Sequence, residues 1–389
     1  MKIFSTVNIV LALYCMASCN SPQNSKKSKK DVSTTETIIH NKEAREDSIK
    51  MAKALALQAK VDNITEADYE TVPVKSKVEE DAADDPAIWI NKADPQKSLI
   101  IGTNKKAGLN VYSLHGDELQ FLEIGKINNA DVSYNFRWAG QETDIVAGSN
   151  RSYNRVDLLA IDRSRLCLTE QPICTIPSSV DDVYGLCLYH DTQTNKHYVF
   201  VNGKNGVIEQ WYLNNTRDSV RAELARTLKV SSQPEGMVVD PVTNLLYVGV
   251  EEEGIFKFKA QADEDTTSIM IASLSSENNE YISYDIEGLA IYRISDNEGF
   301  LIASIQGSFS YAVFDLTDAN NYLTSFIVKD GKYDGIEETD GIDVSSTAMG
   351  HEFPKGIFVA QDGFNMDGDT HANQNFKIVS YEKILDFLK

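Results

Sequence analysis

The side chains with most chemistry to offer are acids set against a recurring glycine phrase. Glu235-Gly236-Met237, Glu287-Gly288-Leu289 and Asp340-Gly341-Ile342 repeat one pattern, and Tyr184-Gly185-Leu186, with Asp181 and Asp182 upstream, is a further copy. Asp84-Asp85-Pro86 and Asp131-Val132-Ser133 stand at similar steps upstream without the glycine. Glu251 and Glu252 end an apolar run, Asp285 precedes Glu287 by two positions, and Asp334 precedes Asp340 by six. Asp362-Gly363-Phe364-Asn365 follows the run Gly356–Gln361. Any one copy reads as a turn with a solvated acid, because Gly and Asp are common turn residues. Six copies aimed at one place are different, since crowded carboxylates raise each other's pKa unless cations lie between them. The set is all oxygen, with no His or Cys in the phrases. That selects a hard ion of high coordination number, calcium ahead of magnesium, and several ions rather than one.

Clustered bases are the second signal. Lys105 and Lys106 stand in Thr103-Asn104-Lys105-Lys106, Arg151 in Ser149-Asn150-Arg151-Ser152, and Lys204 in Asn202-Gly203-Lys204. A lone loop lysine is ordinarily solvated. In a body this acidic, three such groups read as phosphate hooks, the arginine being suited to bidentate contact. No Ser, His or Cys nucleophile lies in the phrases, so no covalent phosphoenzyme is expected.

The elements that must position these groups are strands. The glycines at 185, 236, 288 and 341 recur at steps of 51, 52 and 53 residues, a period typical of repeat architectures. The expectation is an all-β, six-bladed β-propeller with four-stranded antiparallel blades, whose first strands line a central channel. The last unit shows only three strands, Ile342–Val344, Ile357–Ala360 and Phe376–Tyr381, and Thr71–Val78 is expected to add the fourth and close the ring. A short helix over Glu382–Leu388 finishes the chain.

Residues 1–19 carry Lys2, an apolar stretch and Met16-Ala17-Ser18-Cys19, which reads as a lipoprotein export signal with lipidation at Cys19. A cell-envelope location follows, facing the periplasm or the surface. Residues 20–65 read as a flexible tether with a weakly amphipathic helix between Glu43 and Lys60, and residues 66–389 as the propeller. The net charge of −21 argues against nucleic acid and anionic membranes as partners, and a closed propeller is expected to be monomeric. Cys167, Cys174 and Cys187 are no disulfide framework, although Cys167 and Cys174 are spaced to allow one pair.

Across all six units the motifs resemble, in the same order and over roughly Glu70 to Glu382, the calcium-dependent β-propeller phytases. The carriers are Asp81 to Trp89, Thr103 to Lys106, Ser149 to Ser152, Val183 to Gly185, Glu235 to Met237, Asp285 to Gly288, Thr339 to Asp343 and Phe358 to Gly363. The resemblance implies calcium ligands at Asp84 or Asp85, Tyr184, Glu235, Glu251, Asp285, Glu287, Asp334, Asp340, Asp362 and Asn365. It implies phosphate contacts from Lys105, Lys106, Arg151 and Lys204, with Lys105, Arg151, Tyr184, Glu251, Glu287 and Asp340 at the reacting centre. Phe364 stands where the family often has an acid, Gln233-Pro234 replaces its usual Gln-Thr, and Glu70 is a loose counterpart of its upstream glutamate. The implied activity is phosphomonoester hydrolysis of phytate, myo-inositol hexakisphosphate, by a calcium-bound water. The alternatives are a non-catalytic calcium-stabilised binding propeller and another calcium-dependent propeller hydrolase, such as a lactonase.

Overall fold

The structure, a computed structural model, describes residues 48–77, 80–215, 219–273, 282–283 and 285–388. The expected signal segment, the lipid-anchor cysteine and most of the tether lie outside the described residues. The chain divides into two units, Met1–Ile49 and Lys50–Lys389.

Among the described residues the second unit has six blade sheets, one per repeat, and a small two-stranded hairpin, Met366–Asp367 with Thr370–His371. Blade 1 comprises Ala83–Trp89, Leu99–Asn104, Gly108–Tyr112 and Glu118–Glu123, paired in that order. Blade 2 has Ile127–Trp138, Gln141–Asn150 and Arg155–Asp162, with an outer edge split between Cys167–Leu168 and Cys174–Pro177. Blade 3 runs Val183–Asp191, Lys196–Gly203, Val207–Asn215 and Val220–Lys229, and blade 4 Pro234–Asp240, Leu245–Val250, Gly254–Lys259 and Ile269–Ser273. Blade 5 has Ile286–Ser295, Glu298–Ile305, Ser310–Asp315 and Tyr322–Lys329. Blade 6 has Ile342–Ser345, Ile357–Asp362 and Asn375–Ser380. The first strands contact one another in a closed ring, blade 1 meeting blade 6.

Side-chain alternation explains why the blades stack. Successive residues of a strand point to opposite faces. Ile100 therefore packs against blade 6, with Ile357, Val359 and Phe376, while Ile101 packs against blade 2, with Val146 and Leu159. Val199 and Val201 likewise face blade 2, and Phe200 faces blade 4. Each of the six cores lies between two neighbouring blades, so the strands read as continuous apolar runs buried on both faces.

The ring closes a little upstream of the expected segment. Tyr69–Glu70, not Thr71–Val78, is the strand that pairs with Asn375–Ser380, and Thr71 and Val74 extend the contact by donating to Phe376 O at 2.8 Å and Gln374 O at 2.9 Å. A second N-terminal strand was not foreseen. Asn63–Glu66 pairs parallel with Tyr322–Lys329 and gives blade 5 a fifth strand. Residues 50–58 are helical, with Ala54 and Gln58 buried. The final helix is short, Tyr381–Leu385 followed by a 3-10 turn Asp386–Leu388.

Cys167 pairs in register with Asp162 and Cys174 with Leu158, four positions apart on one strand. At the rise of a β-strand that is about 13 Å, beyond disulfide reach. Both are free thiols, as is Cys187.

Candidate active site

The repeated phrase is a β-bulge. Pairing of the first two strands breaks register between Ala83 and Pro86, Ile127 and Ala130, Val183 and Leu186, Pro234 and Met237, and Ile286 and Leu289. A bulge adds a residue and re-aims a side chain. The residues so placed are Asp84, Asn128, Tyr184, Glu235 and Glu287, and Asp340 occupies the matching position before Ile342–Ser345. The glycine that follows exists because neighbouring blades nearly touch there. A Cβ on Gly185 would lie 1.9 Å from Glu235 O, and one on Gly236 would lie 2.1 Å from Glu287 O. Blade 2 carries the phase three residues earlier than the expected Asp131: its member is Asn128-Asn129. Asp131 instead accepts the Leu188 N–H at 2.7 Å.

A second repeated device brings in the other side chains. The first N–H after each second strand donates to a carbonyl just upstream of the inner strand. These bonds run from Lys105 to Ala82 at 2.8 Å, Arg151 to Lys126 at 2.8 Å, Lys204 to Asp181 at 3.1 Å, Glu251 to Gln233 at 3.1 Å, Gln306 to Asp285 at 2.9 Å, and Gly363 to Glu337 at 2.9 Å. The six are structural equivalents. Blades 1, 2 and 3 therefore each send a cation to the mouth of the channel, whereas blades 4, 5 and 6 send Glu251, Gln306 and a bare glycine. The mouth is polarised into a basic half and an acidic half.

Contacts across the mouth confirm the convergence. Asn128 Nδ2 donates to Asp84 Oδ1 at 3.2 Å and to Glu235 Oε1 at 2.9 Å. Carboxylate oxygens of Glu235, Glu251 and Glu287 lie within 4.8 Å of one another. Among the described residues, Glu287 Oε2 is buried without a hydrogen-bond partner. Burial, then the neighbouring Glu235, pushes the Glu287 carboxyl well above the usual range, and burial lifts Glu251 to about 7 despite its 2.5 Å bond from Gln233 Nε2. Such a trio, oxygen-only and with an orphaned buried oxygen, fits a hard divalent cation.

Lys105 is the built-in countercharge beside it. Its Nζ lies 2.7 Å from Asp340 Oδ2, 3.0 Å from Asp84 Oδ2 and 2.7 Å from Asp81 Oδ1. Burial acts to lower the Lys105 pKa, but the three acids together hold it well above the ordinary value. Asp340 is fixed further by Gln306 Nε2 at 2.7 Å. Arg151 Nη2 pairs with Asp182 at 3.0 Å and its Nη1 reaches Asn128 Oδ1 at 3.2 Å. The Tyr184 ring lies between Lys204, 4.5 Å from its centroid, and Arg151, 5.6 Å away. Burial, then Glu235 and Glu287, raises the Tyr184 pKa and keeps the phenol protonated.

Not every expected residue is at the mouth. Asp85 turns down the channel and accepts the Ala130 N–H at 3.0 Å, lining with Asp131 and Asp343 a cavity of about 40 Å³, room for water alone. Asp285 is half-buried at the blade 5 rim, its carboxyl raised by burial. Lys106 lines an open groove of about 420 Å³ with Tyr153 and Arg155. Asp334, Asp362 and Asn365 gather separately, around the fully buried Lys377. Its ammonium bonds Asp334, reaches Glu70 Oε2 at 2.6 Å and Asn365 Oδ1 at 2.9 Å, and lies 3.4 Å from Asp362. Glu70, the loose counterpart, is thus a member of that cluster. Among the described residues Asp362 Oδ2 has no partner closer than that 3.4 Å ion pair, and burial lifts its carboxyl to about 7.

Asn128, Gln306 and Lys377 were missed. Asn128 was legible from Asn128-Asn129 standing where blade 1 has Asp84-Asp85, had glycine not been taken as the anchor. Lys377 carries no signal, because a lysine in a short strand ordinarily faces water. Of the histidines, which stand outside the repeated phrases, His115 bonds Glu352 at 2.9 Å and His197 meets Ser133 Oγ at 3.1 Å, neither at the mouth.

The Phytase family's sequence profile matches residues 32–389. The chain is 42% identical over 328 residues to a 3-phytase of Bacillus subtilis strain 168, which spans 83% of this chain and 85% of that one. Among solved structures, the β-propeller domain of Cps50 (Swd1) from Myceliophteria thermophila aligns with a TM-score of 0.43 and 11% identity, over 77% of this chain and 83% of that domain.

Proposed function

This chain belongs to the phytase family and is a hydrolase of phytate, and from that premise we propose how its polarised mouth performs the reaction. Glu235, Glu251 and Glu287 would hold calcium, with Asp84, Asp340 and Tyr184 beside them and Asp285 at the blade 5 rim. The single observation that carries this is the buried, unpartnered Glu287 Oε2 inside a trio of carboxylates. When bound, the ions supply neutralisation of phosphate charge and activation of the attacking water.

The chain's own residues do the rest. Lys105 and Arg151 donate to oxygens of the scissile phosphate from the basic half, where charge grows in the transition state. Lys105 is already oriented by Asp340 and Asp84, so little rearrangement is required when phosphate arrives. Tyr184, held as a neutral phenol with Arg151 and Lys204 near its ring, keeps its O–H as a donor for a phosphate oxygen. Lys204 stands farther around the basic half, set to take a further phosphate of the same molecule, while Lys106 lines the groove outside the mouth. A site with several separated hooks favours a polyphosphate over a simple ester.

Asp334, Asp362 and Asn365 are read as ligands of a second, structural ion. Glu70, Asp334, Asp362 and the nearby Glu337 outnumber the one ammonium of Lys377, which leaves negative charge for a cation to offset. Residues 1–19 are read as an export signal that leaves the enzyme lipid-anchored at Cys19 in the cell envelope, as a monomer.

The test is phosphate release from phytate set against release from p-nitrophenyl phosphate at saturating calcium. The reading predicts a kcat/KM for phytate well above that for the monoester. Equal values would contradict the multi-hook account.

A further inference from the structure

Of the six equivalent bulge positions at the mouth, five carry an acid or a phenol: Asp84, Tyr184, Glu235, Glu287 and Asp340. The sixth, Asn128, carries an amide. It is fully buried, and both polar atoms of its side chain are engaged. Nδ2 donates to Glu235 Oε1 at 2.9 Å, to Asn129 Oδ1 at 2.9 Å and to Asp84 Oδ1 at 3.2 Å. Oδ1 accepts from Arg151 Nη1 at 3.2 Å. Carboxylates only accept and a guanidinium only donates, so these neighbours fix which way the amide faces. The backbone is held as well. Asn128 O accepts the Thr103 hydroxyl at 2.6 Å, and that hydroxyl accepts the Asp85 N–H at 2.8 Å. Arg151 is gripped on its Nη2 side by Asp182, a partly solvent-facing acid, and on its Nη1 side by Asn128. Asn128 is the buried one of these two anchors, and the one that also bonds the acids. An acid at this position would add charge beside Asp84 and Glu235, and an aliphatic residue would take a donor from both. An amide offers donors to the acids and an acceptor to the arginine at once.

We propose that Asn128 is a positioning residue of the reaction, aligning Arg151 with the carboxylates that would hold the ions so that guanidinium and metal act on one phosphate. This rests on the reading of the mouth as a phytate site and deepens it. Asn128 acts through its neighbours and makes no contact with the reacting atoms. On one side it holds one oxygen of Glu235 and one of Asp84, whose other oxygen faces Lys105 at 3.0 Å. On the other side it sets where Arg151 Nη1 stands. The two halves of the mouth are thereby held in one geometry before substrate arrives.

The experiment is a double-mutant cycle on the full chain, with phytate as substrate and calcium saturating. Asn128→Ala, Arg151→Ala and the double variant are compared with wild type, and melting temperature checks that each folds. Asn128→Ser, smaller and still polar, runs the same cycle should Asn128→Ala not fold. The proposal predicts that Asn128→Ala lowers kcat about thirtyfold, the scale of a misplaced contact group. KM should change by about threefold or less, because Lys204 still holds the substrate. In the Arg151→Ala background the same substitution should cost about threefold or less, since its partner is already gone. Asn128→Asp keeps an acceptor for Arg151 and should recover kcat to within about fivefold of wild type, calcium neutralising the added charge. Calcium binding followed by calorimetry without substrate should weaken about tenfold in Asn128→Ala, as Asp84 and Glu235 lose a donor that orients them. Equal kcat losses in the two backgrounds, or calcium affinity unchanged in Asn128→Ala, would overturn the inference alone in an enzyme that hydrolyses phytate. A wild-type chain that releases no phosphate from phytate would overturn the functional reading and this inference with it.

Discussion

Lys105 Nζ and Asp340 Oδ2 lie 2.7 Å apart, although 235 positions separate them in the chain. The pair joins the loop of blade 1 to the segment just before the inner strand of blade 6, across the seam where the ring closes. It also stands where the basic half of the mouth meets the acidic half. Replacing Lys105 by Ala leaves Asp84, Asp340 and Asp81 facing one another without a countercharge and removes a donor to the transition state. We expect kcat for phytate to fall by about a hundredfold or more at saturating calcium. Steady-state kinetics of Lys105→Ala that retained wild-type kcat would refute the role.

Burial raises Asp340 to about 6 and lifts Glu251 and Asp362 to about 7, against an unfolded value near 4. Between those values the folded chain keeps protons that the unfolded chain has released, so raising the pH favours unfolding. In chelator, the melting temperature is therefore expected to fall from pH 5 to pH 8. Calcium should abolish that decline by binding the ionised forms. A melting temperature that climbed over this range in chelator would show that these acids are not strained by burial.

Glycine at the bulge is a packing requirement. Gly236→Ala places a methyl 2.1 Å from Glu287 O, a backbone atom that cannot step aside. A loss of about 2–3 kcal/mol is expected from overpacking at this neck, together with displacement of Glu287. Denaturant unfolding checks it: a midpoint unchanged from wild type would mean the blades are less tightly joined than they stand.

Cys167 and Cys174 are expected to alkylate fully in denaturant without prior reduction, because their register sets them four positions apart. Peptide mass mapping that found them joined would contradict the blade 2 edge.

Much of this was legible in the sequence, for physical reasons. The glycines at 185, 236, 288 and 341 recur because each lies against the next blade's backbone, so their spacing reported the blades themselves. The acids were legible because they precede those glycines. What escaped lacked a local pattern. Asn63–Glu66 is four residues whose strand character comes from an edge of blade 5 about 260 positions away. Lys377 looks solvated in its own strand, and only the carboxylates from three other segments bury it. The helix at 50–58 shows only a weak apolar face in the sequence, within what reads as a tether. It is fastened instead by one buried amide, Gln58, which no periodicity of apolar residues would reveal.

The most direct test of the central claim is a calcium titration of phosphate release from phytate by wild type and by Glu287→Gln, with folding checked by melting temperature. Glu287→Gln keeps the shape but removes one charge from the trio and its unpartnered oxygen. The account predicts calcium-dependent release by wild type, abolished by chelator, and a variant that folds but needs at least about tenfold more calcium or loses activity. Release by wild type that persists in chelator, or a Glu287→Gln titration that overlays wild type, would contradict it.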